Sequence, residues 1–174
     1  CVDVCDKSWI YNQYDSSILT NTILGSGNGD ASVIRIKENG RLLALSLYCN
    51  PRYCYLDPKE GAKIAVATAG RNCATRGAMP LSITDCLNFG NPDNPNVMWQ
   101  FKESCEGIAE ACSVLNTPVV SGNVSLYNQS DGIDIYPTPS IGMVGIIDNI
   151  NDFRDSALKQ KDNLLIIVGE LKEE

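Results

Sequence analysis

The chain has 174 residues, 44% hydrophobic and 20% charged, which suits one sizeable core and is marginal for two. A net charge of −7 argues against a nucleic-acid-binding surface, which needs a basic stripe, but leaves phosphate ligands open, because Mg2+ and backbone N–H groups also neutralise phosphate. No apolar run reaches the roughly 18 residues of a membrane span, and "CVDVCDKSWIYNQYD" lacks the basic and apolar blocks of a secretion signal, so no membrane contact is expected.

In chain order, "YNQYD" (11–15) is aromatic and polar and reads as packing against a neighbour. "GSGNGDASV" (25–33) is a flexible glycine loop with neither the P-loop nor the dinucleotide-binding pattern, in which Asp30 is a candidate metal contact. Residues 32–37 and 42–49 read as two strands joined by a turn with Asn39-Gly40 at its centre. A helix follows, with Pro58 and Glu60 near its start and Gly77 near its end. A strand runs from Leu81 into polar residues. Val97, Phe101, Cys105, Ile108, Cys112 and Leu115 recur at steps of four and three, giving a helix over 97–115 one apolar face. Residues 118–127, 140–148 and 163–170 complete the pattern as strands, the last buried. The expectation is one α+β domain. The missing initiator Met and the stop just after an apolar run suggest a piece of something longer.

Eight cysteines stand at 1, 5, 49, 54, 73, 86, 105 and 112, with no CxxC pair and no His in the chain, so a zinc site is not expected. Cys73, Cys105 and Cys112 fall in helical segments, where a reduced thiol packs as a small hydrophobe, and scattered thiols of this kind point to a reducing cytoplasm. Two matches to the glycosylation pattern carry no weight without a secretion signal.

Two strands end alike. "SITDCLNFGNP" (82–92) and "VVSGNVSLYN" (119–128) both pass from apolar residues into Asp, Asn, Ser and Gly. Polar groups at strand ends beside helices are where α/β architectures often hold ligands. Asp85 offers a carboxylate to Mg2+ or a hydroxyl, and Asn123 a hard carbonyl oxygen. Gly122 allows close backbone approach, and Ser125 offers a hydroxyl to a phosphate. Asn123 and Ser125, two apart, face the same side of a strand. The same residue types are ordinary turn formers, so spacing alone leaves both readings open. Without His, acid–base work would fall to carboxylates, Tyr, Lys or Cys, and no nucleophile–base pair is legible.

"WIYNQYD", "GDASVIRIK", "CNPRYCYLDPKEGAKIAVATAGRN", "GAMPLSITDCLNFGNP", "WQFKESCEGIAEAC", "TPVVSGNVSLYN" and "YPTPSIGMVG" occur in order between Trp9 and Gly145. Together they closely resemble the formylglycinamide ribonucleotide amidotransferase family, the phosphoribosylformylglycinamidine synthases, in their synthetase subunit. The resemblance implies an ATP-dependent C–N ligase of purine biosynthesis. In that family ATP activates the amide oxygen of formylglycinamide ribonucleotide, and ammonia from a glutaminase displaces phosphate. It implies a fold like the N-terminal domain of aminoimidazole ribonucleotide synthetase, a mixed sheet with helices packed on one face, pairing through strands into a barrel. This chain is similar to the first domain of the second half. Residues 1–30 then lead in, 31–160 form the domain, and 161–174 begin the next.

Carried over motif by motif, Asp85 and Gly122 become ATP contacts, Asn123 a Mg2+ ligand and Ser125 a substrate contact. The implied partners are the remaining synthetase domains, with a glutaminase subunit and a small accessory subunit where these are not fused. The family's catalytic His has no counterpart in "WIYNQYD", so the resemblance assigns no catalytic residue here and implies a piece inactive alone. An isolated domain with an uncovered sheet face is expected to form a homodimer. The rivals are a related ATP-using enzyme, such as selenophosphate synthetase or thiamine-phosphate kinase, and a non-catalytic module that holds a structural nucleotide or pairs with the other half.

Overall fold

A computed structural model describes residues 5–14 and 16–169. The expected reading of "YNQYD" and of the strand over 163–170 therefore reaches, at Asp15 and Glu170, beyond the described residues. The elements run α1 (Ser8–Tyr11), a 3-10 turn at Ile18–Thr20, β1 (Thr22–Leu24), β2 (Ser32–Arg35), β3 (Leu42–Tyr48), α2 (Pro51–Leu56) and α3 (Pro58–Ala74). They continue with β4 (Met79–Asn88), α4 (Pro95–Leu115), β5 (Val119–Ser125), β6 (Gln129–Ser130), β7 (Ile133–Asp134), β8 (Thr138–Ile147) and a 3-10 turn at Ile150–Asp152.

The three longer helices start by the same device. Asn50, Asp57 and Asn94 each accept a backbone N–H with the side chain, and each is followed by Pro at the first helical position. The cap satisfies an otherwise orphaned donor, and the proline has no donor to orphan. α4 ends on Asn116 in the left-handed region (φ 54°), its N–H returning to the Cys112 carbonyl. The turn between β2 and β3 closes with Gly40 at φ 75°, as its Asn-Gly predicts.

The main sheet has six strands in the order β1-β2-β3-β8-β4-β5. All neighbours are antiparallel except β4 and β5, which α4 connects in parallel. β8 alternates buried and half-buried along all ten residues, so one face is covered and the other is not. On the covered face lie Val33, Leu42, Ile83, Ile141, Met143 and Ile147, each almost fully buried. Against them α3 sets Ala62, Ala65, Val66, Ala69 and Cys73, small side chains that bring the helix axis close to the sheet. α4 packs on α3, with Gly107 against the Lys59 backbone. The helices thus lie on one face, as expected.

The sheet is open: among the described residues β1 pairs only with β2 and β5 only with β4, so no closed sheet is found and the expected pairing of two such domains into a barrel has no support here. One expectation needs correction. Residues 163–169 form no strand; Leu164 to Val168 are exposed, because no strand among the described residues lies beside them to take up their backbone groups. Asp30, the candidate metal contact, is largely exposed and sits 3.6 Å from the buried Arg76 guanidinium in an ion pair.

The second face of the sheet is uncovered and largely apolar at one end. Leu45, Leu47, Met79 and Leu81 are exposed there, beside the half-buried Leu43, Val144 and Ile146. Toward the far ends of β4 and β5 the same face turns polar.

Candidate functional site

The parallel register sets Asp85 opposite Gly122, Cys86 opposite Asn123 and Asn88 opposite Ser125. All four residues singled out in the sequence are therefore brought together on two adjacent strands. The pleat then divides them. Ile83 and Leu87, two steps either side of Asp85, are buried under the helices, so Asp85 and its partner Gly122 point to the helix face. Asn123 and Ser125 share the other, open face with Cys86 and Asn88.

Asp85 is partly buried, and that desolvation holds its carboxyl above the usual aspartate range. Its charge in turn adds to the burial that raises the thiols of Cys105 and Cys112 on α4. A side chain at position 122 would collide with this carboxylate: an added Cβ would lie 3.0 Å from Asp85 Cγ and closer still to Oδ1. Glycine leaves that space to the carboxylate, and any larger residue would make the Asp85 side-chain end shift.

On the open face the Asn123 amide nitrogen lies 3.9 Å from Cys86 Sγ, and its Oδ1 has no partner among the described residues. The Ser125 hydroxyl is 3.3 Å from Asn128 Oδ1 and 3.2 Å from Asn128 Nδ2. Asn128 also donates to the carbonyls of Phe89 and Ser125, each at 2.9 Å, tying together the points where the two strands leave the sheet. Asn88 donates to the Cys86 carbonyl at 3.0 Å. Asp134, at the end of β7, accepts from the Asn91 N–H at 2.7 Å and from Gln129 at 2.9 Å, which holds its pKa below the usual range. It sits so close over Gly90 that a Cβ there would come within 2.6 Å of its own.

Asn88, Asn128 and Asp134 were not singled out in the sequence. Asn128 closes the quoted "SLYN" segment, and only the fold shows that it reaches back to Ser125.

The donor set permits specific chemistry. The partly buried Asp85 carboxylate can accept from a hydroxyl or amine donor of a ligand or meet a cation. Asn123 offers one hard, free oxygen, with Ser125 two residues along the same face. A single such oxygen fits a Mg2+ ion that keeps waters and phosphate oxygens in its shell, which is how this ion is commonly held.

The family described as "AIR synthase related protein, N-terminal domain" matches residues 28–147. Curated relatives include the phosphoribosylformylglycinamidine synthase subunit PurL of Wolinella succinogenes, 64% identical over 172 residues, covering 99% of this chain and 24% of that protein. The subunit PurL of Helicobacter hepaticus is 62% identical over 173 residues, covering 99% and 23%. The chain thus spans about a quarter of the length of these relatives. Among solved structures, PurLQS from Thermotoga maritima superposes with a TM-score of 0.79 at 32% identity, covering 88% of this chain and 25% of that one. Thermotoga maritima PurL complexed with ATP gives 0.71 at 34% identity, covering 82% and 23%. The same protein complexed with FGAR gives 0.69 at 33%, with the same coverage.

Proposed function

We propose, from the premise that the chain belongs to the AIR synthase related protein family through its N-terminal domain, that it forms one wall of an ATP-dependent C–N ligase. The reaction converts formylglycinamide ribonucleotide to the formylglycinamidine ribonucleotide of purine biosynthesis. The relatives bearing that name cover nearly the whole chain, and the related PurL of Thermotoga maritima has been seen with ATP and with FGAR. The observation that carries the reading is the side-by-side parallel register of "TDCLN" and "SGNVS" at an uncovered sheet end.

In this reading Asp85, with Gly122 keeping its carboxylate in place, contacts ATP, and Ser125 contacts the ribonucleotide. Asn123 contributes one oxygen to a Mg2+ ion, whose chemistry there is to neutralise phosphate charge. The γ-phosphoryl of ATP passes to the amide oxygen, ammonia adds to the carbon, and phosphate leaves with that oxygen. Such a transfer depends on positioning and charge neutralisation more than on side-chain acid–base groups, which suits a chain without His. The chain alone is read as inactive, working with the remaining synthetase domains, a glutaminase and a small accessory subunit in the cytoplasm. Residues 31–160 are read as the domain, with 1–30 leading in and 161–174 opening the next.

The test is amidine formation by the full-length enzyme. Asn123→Ala and Ser125→Ala are expected to lower kcat/KM by about 10- to 100-fold, in line with one lost contact to a developing charge. Unchanged kinetics in both would refute the reading. A second reading, a pairing module without a ligand of its own, is favoured by the apolar exposure of Leu45, Leu47 and Met79. In the isolated chain this face is expected to drive homodimerisation, and Leu47→Glu to abolish it in light scattering. A monomer before the substitution argues against pairing through this face.

A further inference from the structure

We propose that Asn128 fixes the direction of the Ser125 hydroxyl, so that Ser125 meets its ligand as a hydrogen-bond acceptor and contacts an N–H or O–H group rather than a phosphate. The inference deepens the reading of Ser125 as a ribonucleotide contact and rests on it. The chain reaches the arrangement by a sharp return after β5. Tyr127 adopts the left-handed region (φ 59°), a conformation uncommon for any residue other than glycine. The turn carries Asn128 back over the end of β4. There its own N–H donates to the Phe89 carbonyl at 3.2 Å, and the Tyr127 N–H donates to the Gly90 carbonyl at 2.8 Å.

Hydrogen-bond accounting then decides which way the amide faces. A side-chain amide has two N–H groups and one accepting oxygen. Both N–H groups of Asn128 are spent on main-chain carbonyls, those of Phe89 and Ser125, each at 2.9 Å. Turned the other way, Oδ1 would face two carbonyl oxygens at that distance, with no proton between them. The Ser125 carbonyl also accepts from the Phe89 N–H at 3.0 Å, and Phe89 is fully buried, so the inter-strand bond and the core hold both carbonyls in place. Nδ2 therefore passes the Ser125 hydroxyl at 3.2 Å with no proton left for it. Oδ1, 3.3 Å from Ser125 Oγ, is an acceptor, and the hydroxyl is the donor that reaches it.

The Ser125 proton is thereby committed to Asn128, and the lone pairs of Oγ are left for the ligand. Both residues are half-buried, so the pair stays within reach of a ligand on the open face. A phosphate monoester near neutral pH is mostly dianionic and then offers acceptors only. To bond one, Ser125 would have to withdraw its proton and leave Asn128 Oδ1 without a donor, the costly outcome for an acceptor shielded from water. A formylglycinamide ribonucleotide carries donors at its ribose hydroxyls and its amide N–H groups, so Ser125 faces the sugar or the amide end. The hydroxyl that the sequence offers to a phosphate is an acceptor in this geometry, and Asn128 is its positioning residue.

The direct test is neutron diffraction from crystals of the deuterated full-length protein, which requires neither ligand nor turnover. The expected result is a deuteron on the line from Ser125 Oγ to Asn128 Oδ1, with both Asn128 Nδ2 deuterons on the Phe89 and Ser125 carbonyls. A hydroxyl deuteron directed elsewhere, or a reversed amide, overturns the proposal. The ligand side is read from dissociation constants of the ribonucleotide and of its dephosphorylated riboside. Ser125→Ala keeps both Asn128 donor bonds to main-chain carbonyls, so the strand ends stay tied. It should weaken both compounds by the same factor, about 10-fold for one lost hydrogen bond. A loss confined to the ribonucleotide means a phosphate contact and overturns the acceptor role. Asn128→Ala should weaken the ribonucleotide by itself yet add little in the Ser125→Ala background; a fully additive loss marks a merely structural residue and overturns the positioning role. Wild-type protein that binds neither compound counts against the ligase reading, and the deuteron position is judged apart from it.

Discussion

Gly122→Ala is the most direct probe of the strand pair. The substitution adds one carbon on the helix face, 3.0 Å from Asp85 Cγ and nearer to Oδ1. Non-bonded carbon contacts are comfortable only from about 3.5 Å, so the carboxylate must retreat by on the order of 1 Å. Overpacking of this size costs roughly 1–3 kcal/mol where neighbours cannot yield; here the obstacle is a side-chain end that is only partly buried, so the lower end applies. The functional cost is expected to be larger, because a misplacement of about 1 Å at a ligand contact lowers rate by as much as about 100-fold. The assay is a steady-state titration of ATP with the full-length enzyme, beside a melting curve. KM for ATP should rise about 10-fold or more while the melting temperature falls by only a few degrees. If ATP kinetics are unchanged while the protein is measurably destabilised, the carboxylate above Gly122 is a packing feature and the assigned contact is wrong.

Phe89→Ala should be among the most destabilising single changes near the strand ends. The ring is fully buried and edge-on to Phe101 at 5.3 Å, so its removal is expected to cost about 3–5 kcal/mol in chemical denaturation. The two site carboxylates should respond to acid in opposite senses. Asp134 has its pKa lowered below 3.8, so its contribution is present above that value and lost as pH falls through the folded pKa; the melting-temperature deficit of Asp134→Ala should narrow there. Asp85 has its pKa raised above 3.8, so the wild type loses stability as pH rises from 3.8 through the folded pKa. Asp85→Asn should remove that slope from the melting curve. A parallel acid response of the two variants would contradict the different environments described for them.

Local rules account for most of what the sequence made legible. α4 follows from apolar residues at steps of three and four, and the β2–β3 turn from Asn39-Gly40. α2 was missed although Asn50-Pro51 announces it as plainly as Asp57-Pro58 announces α3; its six residues carry too few apolar repeats to register as a period. The strand expected over 163–170 failed for the converse reason. "LLIIV" has strong strand propensity, but a strand requires a neighbour, and propensity does not supply one. At the candidate site, the spacing of Asn123 and Ser125 correctly gave one shared face. That Gly122 is the residue beside Asp85 on the opposite face is set by the inter-strand register, which depends on a bulge at Val120. One residue of slip would exchange the faces.

The division of the site across the two sheet faces follows from where β5 lies. As an edge strand it has β4 on one side only, and both its faces can be reached around the free edge. An exposed edge of apolar residues invites pairing with other chains, and β5 interrupts its valines with Ser121, Gly122, Asn123 and Ser125. Those same residues lower the strand's own tendency to pair and leave polar groups on either side of it. A compact ligand could engage Asp85 or Asn123, but not both. A ligand with a polar body and a phosphorylated tail is long enough to cross the edge, with the carboxylate on one side and the amide oxygen on the other. In the proposed reading, the small polar residues that keep β5 from pairing as a plain strand are also the ones that would meet an elongated, metal-carrying nucleotide at its edge.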